Sequence, residues 1–584
     1  MTVPTTTHAS NGSEQKPLCF PRPKLHGRAF YESIGSPKLV LAPMVEASEF
    51  AWRMLSRSFM PDDQKGNLLA YTPMFHSRLF HEKPPYRKQS FQPLRDAIPS
   101  PPDASHLSQY TQSDAFLDGN PAIDRPLIVQ FCSNDPADFL AAAQYVAPFC
   151  DAVDLNLGCP QGIARKGHYG AFLQEDWATI SALVGRLHAE LAVPVTAKFR
   201  VQETREKTLA YARMLVDAGA SILTVHGRQR HQKGHETGLA DWAAIRHLRD
   251  HLPPETVLFA NGNILQHDDI AACLAATGAD GVMSAEGNLH DPTIFADPPP
   301  VGCEGREYWR GRDGKGGFRM DAVLRRYMDI IYTYVQGVAP PPRKPLFLPS
   351  DPPPAVEEEE GKEEEQSRKR EAEDEGQPPK KKQKVAAAKK KGKEAKKVER
   401  STDPNLTAMQ SHLFRLLRPL VARHTNIRDA LARCRAGDVE AFENVLQMVE
   451  AAVREGLIEY EREAGRLAED GGAGESNAAK EETELDPHES SIAAVNRCKR
   501  PWFICQPYVR PLPKEALEKG ALSLSKKDKA KLEKEKHQQQ DDEAKKAGVA
   551  PEGKVEEVVV GEKVEGGEVK VEKAEIPKEG MVCG

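Results

Sequence analysis

Between Leu39 and Ser284 the chain repeats one pattern eight times, a short apolar run followed by a connecting stretch. The runs are Leu39–Ala42, Leu68–Thr72, Leu127–Phe131, Ala152–Asn156, Val193–Phe199, Ile222–Val225, Val257–Ala260 and Gly281–Ser284. Most are continuous rather than alternating, which predicts strands buried on both faces and so a parallel sheet. Amphipathic helices are expected between nearly all of them, at Glu49–Ser58, Pro136–Ala147, Glu175–Leu191, Arg205–Ala218, Trp242–His251 and Asp268–Thr277. One connection breaks the rhythm. Residues from His76 to Arg125 are rich in Pro, Ser and Asp and predict a long loop with little helix. Eight β units in about 250 residues are the arithmetic of a closed barrel. An open doubly wound sheet would carry a Gly-rich turn after its first strand, whereas Ala42-Pro43-Met44-Val45 stands there. The expected fold class is α/β, a (β/α)8 TIM barrel over residues 26–300.

Beyond the barrel, Asp321–Val335 and Leu406–Leu457 read as helices. Leu413, Leu416, Leu417, Leu420 and Val421 form one apolar face at helical spacing. A small α-helical domain made of 318–338 and 402–460 is expected, split by a low-complexity insertion at 339–401. Composition supports that split. The hydrophobic fraction is 39% and the net charge −6, yet the charge is segregated into blocks. Glu357 to Glu365 is acidic, and Lys380 to Arg400 carries eleven cations against two glutamates. Blocks of this kind predict a disordered, partner-facing segment. Residues 1–25 and the Lys/Glu-rich tail 513–584 read as disordered too. The ten cysteines are scattered singly with no CxxC pair, which argues against a metal site and a disulfide framework. Met1–Ser13 is polar, and no run of about 18 apolar residues occurs, so neither a signal core nor a membrane span is expected. A soluble chain in a reducing compartment fits these observations.

In a barrel of this class the C-terminal strand ends form the active face. Reading those ends in order gives Pro43-Met44-Val45, Gln130, Asn156 with Cys159, Lys198 with Arg200, His226 with Arg228, Asn261-Gly262-Asn263, and Ala285-Glu286-Gly287. A lone strand-end Gln or His is usually a structural hydrogen-bonder. Polar groups from nearly every strand end on one rim are a different matter. Cys159 is the sharpest of them, since Gly158 and Pro160 fix its turn at the end of an apolar strand and place the thiol for chemistry rather than packing.

These same residues resemble the tRNA-dihydrouridine synthases, and among them the eukaryotic class acting on uridines 16 and 17 of the D-loop. The likeness is carried by LAPMVEASEFAWRML (41–55), LIVQFCSNDP (127–136), VDLNLGCPQGIARKGHYGAFL (153–173), TAKFR (196–200), TVHGRQR (224–230), ANGNI (260–264) and MSAEGNLHDP (283–292). It resumes at SHLF (411–414) and WFICQPYVRP (502–511), within a strip at 496–512. The resemblance implies FMN, with NADPH or NADH as reductant. It implies that Asn261, Gly262, Asn263, Ala285 and Glu286 surround the flavin phosphate, with Gly262 and Gly287 allowing close backbone approach. Pro43, Met44 and Val45 would lie along the isoalloxazine, Gln130 at its polar pyrimidine edge, Lys198 near N1 and O2, and His226 against the ribityl-phosphate side. Hydride would pass from flavin N5 to uracil C6, with Cys159 protonating C5 as an ordinary thiol of pKa about 8.5 can. Asn156, Arg200 and Arg228 are left for the substrate.

The helical domain is expected to hold tRNA, with Arg415, Arg418, Arg423, Arg428, Arg433 and Arg435 as the local cations. A solvated helix face is the plain alternative. Pro378–Val385 reads as a nuclear-import signal, through Lys380–Val385 and an import receptor; a nonspecific RNA-binding arm and a soluble tail are the alternatives. Location in nucleus or cytoplasm and a monomeric state are expected. The Trp502–Pro511 strip, with aromatics beside Arg510, is expected to pack back on the body, with stacking on RNA the alternative and Cys505 structural. Two rival readings stand: an FMN barrel oxidoreductase acting on a small enone or pyrimidine, which would lack an RNA-holding domain, and a noncatalytic RNA-binding scaffold, which would be free to lose Cys159 or Lys198.

Overall fold

The computed structural model describes residues 24–95, 113, 115–352, 401–469 and 490–518. Eight parallel strands close into a barrel: β1 (Leu39–Leu41), β2 (Leu68–Tyr71), β3 (Leu127–Cys132), β4 (Ala152–Leu157), β5 (Val195–Arg200), β6 (Ile222–His226), β7 (Val257–Asn261) and β8 (Gly281–Ser284). Neighbours pair in chain order, and β8 returns to β1 with Leu39 opposite Val282 and Leu41 opposite Ser284. Every residue of β2 to β8 is buried, which is why their apolar runs do not alternate. Four of the helices outside start where the sequence supplies an oxygen for their first amides. Asp135, Asp176, Thr204 and Asp241 each accept from the first turn of the helix that follows.

The connection after β2 differs from its sequence expectation. A two-residue strand, Phe75–His76, pairs beside β3, and the helices Ser77–Glu82 and Pro84–Ser90 follow. Proline is compatible with the first turn of a helix, where its missing N–H is no loss. Phe75, Phe80 and Phe91 pack together there, and Arg87 donates to the Phe80 and His81 carbonyls.

After the barrel comes an antiparallel pair, β9 (Tyr308–Arg310) and β10 (Gly316–Phe318), then the helix Met320–Ile330 running into a wide π turn at Ile331–Gln336. The expected helix Leu406–Leu457 is four helices, Pro404–Leu416, Arg418–Arg423, Thr425–Arg433 and Val439–Glu469. Breaks fall beside Pro419 and at Gly437, whose φ is +91°. This bundle docks on the first barrel helix, Phe50–Arg57. His412 stacks on Trp52 at 3.9 Å and 4°, and its Nε2 meets the Glu49 carboxylate at 3.0 Å. The Ala51 amide donates to Asn405 Oδ1 at 2.9 Å. Barrel and bundle share one continuous apolar core.

Three expected boundaries move. Residues 339–352, assigned to the insertion, are packed: Arg343 pairs with Glu443 at 2.7 Å, Arg306 with Asp351 at 2.7 Å, and Leu346 is buried. Proline content suggests low complexity, yet extended proline segments need no partner strand when a few side chains anchor them. Lys24, placed in the N-terminal tail, donates to the carbonyls of Leu187, His188 and Leu191. The tail expected from 513 begins as a packed helix, Pro513–Glu518, with Ala516 fully buried. The strip before it lies on the body as expected. Ile504 bridges to Arg319, and the fully buried Cys505 donates its amide to the Phe318 carbonyl. The acidic run Glu357–Glu365 and the basic segment Lys380–Val385 lie outside the described residues. Among the described residues no helix is long and apolar enough to cross a membrane.

Candidate active site

The turns and loops that follow β4 to β8 enclose a cavity of about 390 Å³. Its walls carry Arg200, Arg228, Lys233 and Arg510 against a single carboxylate, Glu286. Two glycines at the strand ends are required by close packing within the protein itself. Gly262 sits at φ +113°, and a Cβ there would come 2.6 Å from Ala240 Cβ; a Cβ on Gly287 would come 2.3 Å from the Ile264 carbonyl oxygen. Asn263 takes a left-handed φ of +64° and holds the Ala240 amide and Arg228 Nη2 on its Oδ1, at 3.1 and 2.7 Å.

The electrostatics favour an anion. Arg228 is half-buried and held by the Gly238 carbonyl, Asn263 and His226. Burial, with the nearby Arg200, lowers it to about 10. His226 is held well below its usual value by burial first, then by the charges of Arg200, Arg228 and Lys198. A neutral ring follows. Arg228 Nη1 lies 3.0 Å from His226 Nε2 and can only donate, so the proton sits on Nδ1. That buried Nδ1 has no hydrogen-bond partner within the protein. Buried donors are rarely left unpaired, so a ligand acceptor fits there. Lys198 Nζ is buried against Asn261 Oδ1 at 3.1 Å, and Asn261 in turn donates to the Met283 carbonyl.

A second set of bonds fixes the thiol loop. Asp154 accepts from Thr196 Oγ1 at 2.6 Å and from Gln130 Nε2 at 2.8 Å. Gln130 Oε1 accepts from Asn156 Nδ2 at 2.8 Å. Asn156 Oδ1 then accepts the amides of Gly158 and Cys159 at 3.0 and 2.9 Å. Burial raises Asp154 to about 6. The chain of bonds runs across the barrel from β5 to β4, to β3, and back to the turn after β4.

Residues 40–307 match the family described as Dihydrouridine synthase (Dus). The chain is 40% identical over 490 residues to the tRNA-dihydrouridine(16/17) synthase (NAD(P)(+)) of Schizosaccharomyces pombe, covering 84% of this chain and 92% of that one. The chain belongs to the dihydrouridine synthase family. The Saccharomyces cerevisiae protein of the same name is 38% identical over 514 residues, 88% of this chain and 91% of its own. A mouse relative, the tRNA-dihydrouridine(16/17) synthase-like protein, is 45% identical over 280 residues, 48% of this chain and 52% of its own.

Within this dihydrouridine synthase the expected site residues fall into three groups. Arg200, His226, Arg228, Asn261, Gly262, Asn263, Ala285 and Glu286 meet on the cationic cavity. Gln130, Asn156 and Lys198 are buried beneath the mouth, bonded to one another or to Asn261. Pro43 and Met44 are buried at the end of β1, while Val45 faces a separate cavity of about 780 Å³ between the mouth and the helical bundle. Cys159 lies on neither wall. It is 1% exposed and packs with Cys132, Ala164 and Tyr169. Its neighbours nevertheless reach both cavities, Pro160 the first and Met74, which packs on the same cluster, the second.

Two substrate assignments change character. Asn156 spends its oxygen on two backbone amides, and so braces the Cys159 turn. Arg200 donates Nε to the Gly158 carbonyl at 2.8 Å and reaches the Gln229 carbonyl at 3.3 Å, bracing the same turn from the other side. Of the arginines expected to face phosphates, Arg415 is largely buried, Arg418 lies over the Tyr508 ring, and Arg423 and Arg428 pair with Glu459 and Asp429. Arg435 is exposed. Sequence reading missed Asp154 and Arg510. Asp154 was legible as a charged residue inside an apolar strand; Arg510 comes from far outside the barrel. The described residues also hold His81, Glu82 and Asp138 with ligand atoms within 4.8 Å of one another, away from either cavity, and Glu82 is already paired with Arg78.

Proposed function

We propose that this chain is a flavin-dependent tRNA-dihydrouridine synthase that reduces the uracil C5=C6 bond at positions 16 and 17 of the tRNA D-loop, using FMN and NADPH or NADH. The observation that carries this reading is the pairing of an anion-seeking cavity with a braced thiol one residue from its wall. The fit to FMN rests on the unpartnered His226 Nδ1 and the surplus of positive charge. When bound, FMN supplies the hydride for C6. The protein does the rest. Lys198 holds positive charge beneath the mouth and would stabilise the negative charge of a reduced flavin. Asp154, Gln130 and Asn156 fix the turn that carries Cys159, and the thiol gives its proton to C5. The target base must leave its stack, which costs less in a loop than in a duplex. The cavity between the mouth and the bundle, lined by Val45, Met74 and Ser411, is its route to the thiol.

The helical bundle and the barrel rim together contact the tRNA. We also propose that the chain acts as a monomer and that Lys380–Val385 serves nuclear import, with cytoplasmic protein remaining. Two measurements test the reading. The purified protein should show a flavin absorbance spectrum, and tRNA from cells lacking it should lose dihydrouridine at 16 and 17 by mass analysis. A colourless protein unable to take up FMN, or unchanged tRNA, overturns it.

A further inference from the structure

The cavity wall contains one residue that the barrel does not supply. Arg510 reaches it from the C-terminal strip, beyond the family match that ends at 307. The strip is built to stay there. Gln506 Nε2 donates to the Arg500, Pro501 and Ile504 carbonyls and closes a turn. Tyr508 then lies between Arg418, 3.6 Å over its ring, and His290, 5.6 Å away. The following helix, Pro513–Glu518, is anchored through Glu515, which accepts the Leu512 amide at 3.0 Å and the Ser491 amide at 2.9 Å. That helix packs on residues 234–236, and Pro513 lies beside Gly238. The strip thus spans from the turn after β8 to the loop after β6, and Arg510 enters the cavity between them.

At its centre Arg510 grips Glu286. Nε lies 3.0 and 3.1 Å from the two carboxylate oxygens, and Nη2 2.9 Å from Oε1. Glu286 is the only carboxylate among the described residues of the wall. Left alone, it would repel an anion in a site otherwise lined with cations. Fork-shaped pairing with arginine masks that charge and fixes its position.

We propose that residues 506–518 form a clasp over the phosphate end of the cofactor cavity, with Arg510 as a positioning residue that neutralises Glu286 and so selects a phosphorylated flavin. This rests on the flavin reading above. The clasp, unlike the rest of the wall, is formed by residues well beyond the family match that ends at 307.

The test compares FMN with riboflavin, which lacks the phosphate, on full-length protein by recovery of flavin fluorescence on release. Arg510→Ala should weaken FMN binding about tenfold or more, the size of one charge-assisted contact, and leave riboflavin nearly unchanged. Arg510→Ala combined with Glu286→Gln should recover most of the FMN affinity, because the repulsive charge is gone. If Arg510→Ala folds poorly, Arg510→Gln carries the same expectation. A strip with only a structural role would weaken both flavins equally and gain nothing from Glu286→Gln; that result overturns the clasp. Wild-type protein that binds neither flavin overturns the cofactor reading and the clasp with it. Wild-type protein that prefers FMN, together with an Arg510→Ala variant of undiminished preference, overturns the clasp alone.

Discussion

Asn156 and Cys159 divide one task between them. The thiol is a group that can deliver a proton; the carboxamide decides where that group stands. In the proposed reaction, replacing Cys159 with Ala removes the proton source and little else, since an alanine fits among Cys132, Ala164 and Tyr169. Turnover should fall by about 10²- to 10⁴-fold, the usual worth of a positioned general acid, while flavin uptake stays normal in the absorbance spectrum. Turnover close to wild type would remove Cys159 from the acid role. Asn156→Ala acts differently. It strands the amides of Gly158 and Cys159 and the Gln130 oxygen in a buried place. Each buried unsatisfied group costs about 1–3 kcal/mol, so both stability and turnover should drop. Urea unfolding reads the first and tRNA reduction the second. A variant that loses turnover with full stability would mean that Asn156 touches the base instead.

At the scale of elements, the barrel was legible because its signal is long and redundant. Eight buried strands each repeat the same apolar run, and their ends differ from expectation by two residues at most. The connection from His76 to Arg125 was not legible, because Pro84-Pro85 reads as a break in a sequence window yet begins a helix here. The pair Tyr308–Arg310 and Gly316–Phe318 is too short for any periodicity to show. In the site, the residue types at strand ends pointed to the cationic cavity. Composition could not say that Asn156 faces the backbone or that Arg510 crosses to Glu286, since both depend on contacts formed only in three dimensions. The docking of the bundle is another such contact, and it concentrates on one ring. His412 stacks on Trp52 and bonds the buried Glu49. His412→Ala should cost roughly 3 kcal/mol, combining a lost aromatic pair, a cavity and an unpaired buried carboxylate. His412→Phe, which keeps the stack and loses the bond, should fall between. Chemical denaturation of the two variants checks the order, and equal losses would assign the whole effect to the bond with Glu49.

For the whole molecule, the junction of barrel, bundle and clasp passes through His290. Its Nδ1 lies 2.9 Å from the Arg415 carbonyl, so it donates there, and Tyr508 of the clasp packs against the ring. Burial is the main cause that lowers His290 from 6.5 to about 4. Above pH 6.5 the ring is neutral in both folded and unfolded chains, and the difference has no effect. Below it the unfolded chain takes up a proton that the folded chain refuses, so stability declines as pH falls toward 4. At pH 5 the loss from this one ring should be roughly 2 kcal/mol. His226 adds a slope of the same sign, because burial also holds it neutral. Subtracting a variant isolates the junction. His290→Gln retains a donor for Arg415 and cannot titrate, so its stability should fall about 2 kcal/mol less than wild type between pH 7 and pH 5. Unfolding curves at the two pH values measure this directly. Parallel losses in the two proteins would show that His290 becomes charged without opening the junction, and the acid sensitivity would then belong to His226 in the cationic cavity.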